Sequence, residues 1–460
     1  MNHPTARDLV AALQGRQVSA VELLDRSIER IERFDGQVNA VVVRDFERAR
    51  GAAAAADAAL ARGERRPLLG IPVTVKEAFN VAGLPTTWGI PGTEKIPVGE
   101  DAVVVRRLKA AGAIVLGKTN VPTHLADWQS FNPLYGTTRN PWDLERTPGG
   151  SSGGSAAALA AGYVPLEFGT DLGGSLRVPA HCCGVFAHKP SHGLVPMRGN
   201  APPGTPSLSV GADIDLAVIG PMARSADDLA LALDVIAGPD DAEAVAYRLA
   251  LPPARHAALG DFRVLVLDAH PGVPTSNAVR SSLQHLCDRL DRAGCKIGRA
   301  SPLLPDLGRV ASLWGQLMWA LFSADMPGNA PGMSHRDWIH ADRARLGIAH
   351  QWRRFFEAWD VILCPVMPTP AFAHDHGEMH ARRLQVDGRS IAYEAQSAWS
   401  SIATLTGLPS TAMPIGLSDD GLPIDMQIIG PRLEDRTTLA FAQQVEHAFG
   451  GFVPPPGYAA

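Results

Sequence analysis

Two serines in glycine-rich stretches, with one lysine upstream, are the residues of this chain best suited to chemistry. Ser151 lies in the stretch 149–155, and Ser175 follows two glycines in the stretch 170–177. Lys76 ends an apolar segment. Glycines let the backbone turn tightly and expose successive N–H groups, which holds a hydroxyl against an anion-binding nest. Such a set could supply the nucleophile, the base and the oxyanion donors that amide hydrolysis needs.

Each glycine-rich stretch has other interpretations when it is taken alone. Residues 172–175 could simply be a turn before a helix. The glycine spacing gives neither the phosphate-binding pattern G-x-x-x-x-G-K-S/T nor a dinucleotide-binding fingerprint between a strand and an acidic residue. No G-x-S-x-G elbow surrounds Ser175. A nucleotide-binding enzyme is therefore disfavoured.

Taken together, the two stretches and the lysine resemble the amidase signature family, serine hydrolases with a Ser–Ser–Lys triad. Residues 148–154 and 169–177 match its signature block, and the interval of 24 residues between the serines matches its spacing. Lys76 falls in the strand motif of the family. The resemblance is weakest from about 252 to 359. It also extends through residues 117–120, 136–142, 189–191, 407–409 and 421–430.

The resemblance implies a role for each residue of the triad. Ser175 would be the acyl-forming nucleophile. Ser151, after a cis peptide bond, would bridge Ser175 to Lys76. Lys76 must then be neutral to accept a proton, so burial or hydrogen bonding must lower its pKa. Glu77 follows at once, but successive strand residues face opposite ways and it need not pair with Lys76.

The family also implies binding and supporting residues around the triad. Leu125 would line the acyl site with its backbone. Asp171 and Arg177 could be taken for a catalytic acid and base, but the family role, which we prefer, is an ion pair that holds the strained turn. Oxyanion-hole N–H groups are expected from Leu172, Gly173, Gly174 and Ser175, and structural support from Ser152, Asp171 and Arg177. The nearby histidines would be redundant beside a complete triad; they are His181, His188 and His192.

An apolar pocket is suggested by aromatic residues and by a loop. Trp88, Trp128 and Phe131 fall in segments expected around the acyl site, although a single aromatic residue is more often part of the core. Trp314, Trp319 and Trp338 fall in the variable region. The segment 196–209, rich in proline and glycine, is more plausibly a pocket wall than a linker. These features favour an aromatic substrate.

Composition limits the classes of function. The chain has 460 residues, 46% of them hydrophobic, and a net charge of −5, which argues against non-specific nucleic-acid binding. Five dispersed cysteines predict neither a disulfide framework nor, at the adjacent Cys182 and Cys183, a metal site. No segment resembles a membrane span or secretory signal, so a cytoplasmic location is the default. We expect a small-molecule substrate, no cofactor and a monomer or homodimer.

The pattern of elements predicts a single α/β domain. Nearly continuous apolar runs at 68–76 and 113–118 alternate with helices, which is typical of a mixed, mostly parallel sheet covered on both faces. A capping box at Ser19 and Glu22 begins a helix that the run 34–36 should end. The turn at 238–241 is the best internal boundary by composition. Further strands are expected at 262–267, 361–366, 410–415 and 424–429, and a helix at 437–449.

The domain should comprise N-terminal helices over about 1–66, a signature core over about 67–240 and a variable, substrate-specific region over about 252–359. The expected activity is hydrolysis of a carboxylic amide, with anilides, esters and carbamates as further candidates. The chief alternative is the amidase (glutaminase) subunit of a tRNA-dependent amidotransferase. A catalytically inactive binding scaffold is disfavoured, because folding alone does not require Lys76, Ser151 and Ser175 together.

Overall fold

The computed structural model describes residues 3–205, 214–323 and 332–459. These residues form a large sheet with helices packed around it. The α-helices are α1 (Ala6–Gln14), α2 (Ala20–Val38), α3 (Phe46–Ala61), α4 (Val103–Ala110), α5 (Gly153–Ala160), α6 (Arg177–Cys183), α7 (Ala226–Ile236), α8 (Asn277–Arg292), α9 (Leu307–Ser323), α10 (His335–Ala358), α11 (Ser397–Thr404) and α12 (Asp435–Phe449). Short 3₁₀ helices occur at Thr123–Leu125, Leu259–Asp261, Met379–Ala381 and Tyr393–Gln396.

Most strands belong to the one large sheet, and two short hairpins lie outside it. The strands are β1 (Val41–Arg44), β2 (Pro72–Lys76), β3 (Ile114–Thr119), β4 (Phe131–Asn132), β5 (Gly136–Thr137), β6 (Leu166–Asp171), β7 (Phe186–Lys189), β8 (Val218–Ala223), β9 (Arg263–Val266), β10 (Lys296–Gly298), β11 (Val361–Pro365), β12 (Arg383–Val386), β13 (Arg389–Ala392), β14 (Ser410–Leu417) and β15 (Pro423–Ile429).

The sheet has eleven strands in the order β1-β3-β2-β6-β8-β7-β14-β15-β11-β9-β10. Strand β2 pairs in parallel with β3 and β6, and β9 pairs in parallel with β10 and β11. The other pairings are antiparallel. The sheet is therefore mixed, as predicted. Parallel pairing is confined to its two flanks, because the strands at its centre return antiparallel.

Burial explains why the central strands could be recognised from their sequences. Every residue of β2, β3, β6, β8, β11 and β15 is buried, so these strands are covered on both faces. An apolar run without alternation is what such a position requires. The predicted strands and the final helix are present, with bounds shifted by a few residues.

In helix α2, a local signal sets the first residue and the tertiary structure sets the last. Its capping box forms as predicted, since Ser19 Oγ accepts from the Glu22 N–H and the Glu22 carboxylate accepts from the Ser19 N–H. The helix, however, passes the predicted stop and ends at Val38. Asn39 there adopts a left-handed conformation, with φ of 56°.

The turn at 238–241 is a connection within one domain. The carboxylate of Asp240 accepts two hydrogen bonds of 2.7 Å from Arg198, which ties the turn to the body of the molecule. Strands β8 and β9, on either side of this turn in sequence, belong to the same sheet. Strong composition signals of a boundary can thus mark no more than a surface turn.

In the described ranges, no helix is long and apolar enough to cross a membrane. The five cysteines are free and buried. Burial raises the pKa of the Cys182 and Cys183 thiols, so they stay protonated and unreactive at neutral pH. Over the same ranges, no group of three or more metal-ligating side chains occurs.

Candidate active site

Sheet topology brings the two serines and the lysine to one place. Lys76 is the last residue of β2, and Ser175 lies in the turn that joins β6 to α6. Because β2 and β6 are parallel neighbours, their carboxyl ends lie at the same edge of the sheet. Ser151 lies two residues before the start of α5, which packs against both strands. Residues separated by up to 99 positions therefore converge.

Lys76 is fully buried and is surrounded by hydroxyl groups. Its Nζ is hydrogen-bonded to Ser151 Oγ at 2.6 Å and to Thr170 Oγ1 at 2.8 Å. Burial lowers the pKa of Lys76 to about 7, although the negative charge of Asp171 opposes this change. The free amine that a proton acceptor requires is thus available near neutral pH.

The two serines are held next to each other by the backbone. The Gly150–Ser151 peptide bond is cis, as expected. The next residue, Ser152, donates its N–H to the carbonyl oxygen of Ser175 at 3.2 Å, which is a supporting role like the one predicted for it. Ser175 is only 9% exposed. Among the described residues, the Ser151 and Ser175 hydroxyls form no hydrogen bond with each other, so the expected bridge is present only on its lysine side.

The turn before Ser175 offers three backbone donors rather than four. Gly174 donates its N–H to Asp171 Oδ1 at 2.9 Å and is therefore already occupied. The N–H groups of Leu172, Gly173 and Ser175 have no hydrogen-bond partner within the described residues. Gly174 has φ of 103°, a conformation that favours glycine, and it serves to shape the turn.

Asp171 and Arg177 form a fully buried ion pair across the turn that carries the predicted nucleophile Ser175, called here the nucleophile turn. Arg177 donates to both Asp171 oxygens, at 2.9 and 3.0 Å. It also donates to Gln427 Oε1 at 2.7 Å and to Thr404 Oγ1 at 2.9 Å. Burial alone would raise the pKa of Asp171, but the Arg177 charge outweighs it and lowers the pKa. A carboxylate held ionised by so many donors suits the structural role.

Leu125 lies on a turn with unusual backbone geometry. His124 and Leu125 have φ of 56° and 59°, in the left-handed region that non-glycine residues seldom adopt. The His124 N–H is fixed by the Trp88 carbonyl oxygen at 2.9 Å. Further along the same segment, Gln129 lies close to Gly150. A methyl group added to Gly150 would lie 2.7 Å from the backbone nitrogen of Gln129. The segment after Leu125 thus borders the cis peptide bond.

The predicted pocket aromatics have different surroundings. Trp128 lies at the nucleophile turn, where its Nε1–H donates to the Gly173 carbonyl oxygen at 2.9 Å. Trp88 is buried and donates to the Ala78 carbonyl oxygen. Phe131 stacks on His376, with ring centroids 4.0 Å apart. Of the three, only Trp128 makes a hydrogen bond to the turn that carries Ser175.

The loop predicted as a pocket wall is described only up to residue 205. Its described part is hydrogen-bonded to residues after β2 and at the start of α4. The Gly199 carbonyl oxygen accepts from the Asn80 N–H, and the Arg198 carbonyl oxygen accepts from the Val103 N–H. The remainder, 206–209, lies outside the described residues.

The three histidines near the signature block bind other groups. His181 accepts the Asp425 N–H at Nδ1 and contacts the Thr369 carbonyl oxygen through Nε2. Burial lowers its pKa to about 4, so it is neutral. His188 is bonded to Thr411 and Asp435. None of the three, His192 included, contacts Ser175 within the described residues.

Two residues near the triad were not predicted from the sequence to lie there. Thr170 contacts Lys76, and its place one residue before Asp171 at the end of β6 could have revealed it. Trp314, in α9 of the variable region, packs on Gly173, where an added methyl group would lie 3.4 Å from its Cζ2. No local signal separates Trp314 from the other tryptophans of that region.

A cavity of about 470 Å³ lies between α9 and α10. It is lined by side chains such as Arg309, Leu313 and His340 and contains none of the triad residues. Its lining includes Ser312, Asp337 and His340, but no hydrogen bond joins Ser312 to either of the other two within the described residues. The predicted triad lies at the Ser175 turn and not in this cavity.

Comparison with known proteins gives consistent results. A family model described as Amidase matches residues 22–328 and 320–439. An indoleacetamide hydrolase of Bradyrhizobium diazoefficiens is 34% identical, over 97% of this chain and 86% of the relative. A glutamyl-tRNA(Gln) amidotransferase subunit from Methylococcus capsulatus is 32% identical, over 97% of each chain. A solved structure of a protein complex that reveals the origins of an s-triazine catabolic enzyme superposes with a TM-score of 0.85 at 28% identity, covering 97% of this chain and 99% of the other.

Proposed function

Because this chain belongs to the amidase signature family, whose members hydrolyse amides, we propose that it cleaves amides of small aromatic molecules through an acyl-enzyme on Ser175. The observation that carries this proposal is the state of Lys76. A fully buried amine with a pKa of about 7, hydrogen-bonded at 2.6 Å to a serine beside the nucleophile, is a base prepared for proton transfer.

Acylation begins with transfer of two protons. Ser151 Oγ gives its proton to Lys76 Nζ and takes the proton of Ser175 Oγ, which attacks the carbonyl carbon of the substrate. Substrate binding must bring the two serine hydroxyls into hydrogen-bond contact, as catalytic contacts often tighten only in the complex. The new C–O bond moves an electron pair onto the carbonyl oxygen. The free N–H groups of Leu172, Gly173 and Ser175 stabilise that oxyanion.

Collapse of the tetrahedral intermediate breaks the C–N bond. The leaving amine takes the proton that Lys76 holds, delivered through Ser151, and Ser175 is left acylated. Water then attacks the acyl carbonyl carbon and gives its proton to the same relay. Collapse of this second tetrahedral intermediate breaks the C–O bond to Ser175, whose oxygen takes that proton back, and the carboxylic acid is released. These steps need no metal or organic cofactor, since lysine, serine and backbone N–H groups supply each acid, base and electrophilic contact.

Two features support an aromatic substrate. The Trp128 indole donates a hydrogen bond to Gly173, and the Trp314 indole lies 3.4 Å from the position of a methyl group built on Gly173, within the proposed oxyanion hole. The relative from B. diazoefficiens is named for an indole-bearing amide. Burial of about 100 Å² of aryl surface contributes roughly 2–3 kcal/mol to binding. Aryl carbamates present the same carbonyl group and are proposed as further substrates.

A substrate panel tests this function. We expect kcat/KM for an anilide, an arylacetamide or an aryl carbamate to exceed that for acetamide or glutamine by at least about tenfold. A fluorophosphonate probe should label the wild type at Ser175 and should not label Ser175→Ala. Equal or reversed preference, with labelling intact, would contradict the aromatic assignment while preserving the hydrolase.

A second candidate is favoured by the relative from M. capsulatus. Its name and 97% coverage of both chains support a glutaminase subunit of a tRNA-dependent amidotransferase. Such a protein would prefer glutamine and would need partner proteins for full activity. High activity of the isolated chain on aryl amides, and little on glutamine, would exclude this candidate.

A further inference from the structure

Trp314 lies at the nucleophile turn although it comes from the region least similar to the family. It is carried by α9, and its side chain is only 7% exposed. A methyl group built on Gly173 would lie 3.4 Å from Cζ2 and 3.7 Å from Cη2 of this indole. An added methyl group would therefore touch the ring at van der Waals distance, so the indole lies about one methyl group away from the glycine whose N–H is a proposed oxyanion donor.

Trp128 contacts the same glycine, and the two indoles differ in one respect. Trp128 Nε1–H donates to the Gly173 carbonyl oxygen at 2.9 Å. Trp314 Nε1 is buried and has no hydrogen-bond partner among the described residues. A buried N–H without an acceptor is unfavourable, and an indole nitrogen can only donate.

The free N–H of Trp314 belongs to the part of the indole that lies nearer the turn. Nε1 and Cζ2 are attached to the same carbon of the ring, and Cζ2 is the ring atom nearest to a methyl group built on Gly173. The N–H therefore belongs to the edge of the ring that faces the proposed oxyanion hole. A substrate carbonyl bound there would place its neighbouring atoms beside this donor.

We infer that Trp314 Nε1–H donates a hydrogen bond to an acceptor oxygen of the substrate adjacent to the scissile carbonyl. This inference rests on the proposed function and narrows its substrate class. The favoured substrates are aryl compounds with an oxygen next to the carbonyl group or one carbon away, such as aryloxyacetamides and aryl carbamates. Trp314 is thus a specificity-determining residue.

The test compares two anilides that differ in one atom, phenoxyacetanilide and 3-phenylpropionanilide. The first has an ether oxygen where the second has a methylene group. The ratio of their kcat/KM values is measured for wild type, Trp314→Phe and Trp319→Phe. Trp319, on the same helix and 46% exposed, provides the matched control.

We expect Trp314→Phe to lower the ratio of kcat/KM for phenoxyacetanilide to kcat/KM for 3-phenylpropionanilide by about tenfold. The phenyl ring of the variant remains apolar but lacks the N–H donor. Trp319→Phe should leave the ratio unchanged. Intrinsic reactivity of the two substrates cancels, because only the change between variants counts. An unchanged ratio in Trp314→Phe would overturn the inference and leave the proposed function intact. Failure of the wild type to cleave either anilide would overturn both.

A second measurement does not depend on folding of the Trp314 variant. In the indole ¹H–¹⁵N spectrum of the wild type, phenoxyacetate should shift one tryptophan N–H signal downfield, and 3-phenylpropionate should not. The same signal should shift in Trp319→Phe. Equal responses to both ligands, or none, would overturn the inference.

Discussion

Lys76 and Lys118 have different hydrogen-bonding partners, although both are fully buried on adjacent parallel strands. In the register of β2 and β3, Val75 pairs with Lys118 and Lys76 pairs with Thr119, so the two lysines face opposite sides of the sheet. Within the part of the chain that the structure describes, the hydrogen bonds of Lys76 Nζ all go to hydroxyl groups. Lys118 Nζ lies 3.4 Å from Glu77 Oε1 and also donates to the Pro85 carbonyl oxygen.

The carboxylate makes the difference between the two sites. Burial lowers the pKa of Lys118, and the negative charge of Glu77 opposes that change. Glu77 also accepts the N–H groups of Thr87 and Trp88, at 2.8 and 2.9 Å, so this ion pair fastens a loop. Within the described residues, Lys76 has no carboxylate partner, and in the proposed mechanism it supplies the free amine. Strand alternation was the reason that Glu77 need not pair with Lys76, and Glu77 pairs with Lys118 instead.

A low pKa alone does not mark a base. Burial also lowers the pKa of Lys189 to about 7, but its Nζ donates only to the Pro190 carbonyl oxygen within the described residues. The contact between Lys76 and Ser151 is what distinguishes the proposed base. The following predictions test this contrast.

The largest expected effect is loss of activity in Lys76→Met. Removal of the base should lower kcat/KM by several orders of magnitude, and combining it with Ser175→Ala should cost little more than Ser175→Ala alone, because the triad acts as a unit. Turnover of an anilide and circular dichroism spectra measure activity and folding. Undiminished hydrolysis by Ser175→Ala would end the assignment.

Lys118→Met should instead lower stability. It leaves the Glu77 carboxylate buried without its cation, which should reduce the free energy of unfolding by about 3 kcal/mol. Activity per folded molecule should be retained. Urea titration of this variant and of the Glu77→Gln/Lys118→Met double variant checks the cause, since the double variant should recover part of the loss. A large loss of kcat in a stable Lys118→Met protein would show that the contrast is wrong.

The pH profile should carry the titration of Lys76. Its free amine is the active form, so kcat/KM should rise with pH and level off above an apparent pKa near 7. Below that value, activity should fall about tenfold per pH unit. An activated aryl ester makes the residual rate of Lys76→Ala measurable, and its profile should be flat. If the rise of kcat/KM with pH persists in Lys76→Ala, the titrating group is not Lys76.

The smallest expected effect is a change in how the free energy of unfolding depends on pH. Folding lowers the pKa of Lys76 from 10.5 to about 7, so the unfolded state binds more protons between these values and wild-type stability rises with pH there. At pH values below the folded-state pKa, Lys76 is charged in the folded protein as well, and the whole cost of burying that charge lowers the free energy of unfolding. Lys76→Met should therefore be more stable than wild type by about 1–4 kcal/mol near pH 6. This advantage should shrink toward about pH 10, as melting temperatures at several pH values would show.

Much of this site could be predicted from local sequence, because the relevant features act over a few residues. Glycines that permit a tight turn drew attention to the stretches around Ser151 and Ser175, and an apolar run placed Lys76 at the end of a buried strand. Their roles as a triad came from the resemblance to the family. The capping box at Ser19 and the central strands were also recognised from local sequence. Asp171 and Arg177, six residues apart, do form the structural ion pair that was preferred.

Other features required the tertiary structure, because they depend on which distant segments meet. The Gly174 N–H is unavailable only because the Asp171 carboxylate folds back onto it. Gln427, 250 residues from Arg177, completes the network behind the turn. Trp314 reaches Gly173 only because α9 packs beside α11. The sequence by itself determined which groups could react, whereas the packing of the sheet and helices decided which hydrogen-bonding groups remain free to meet a substrate.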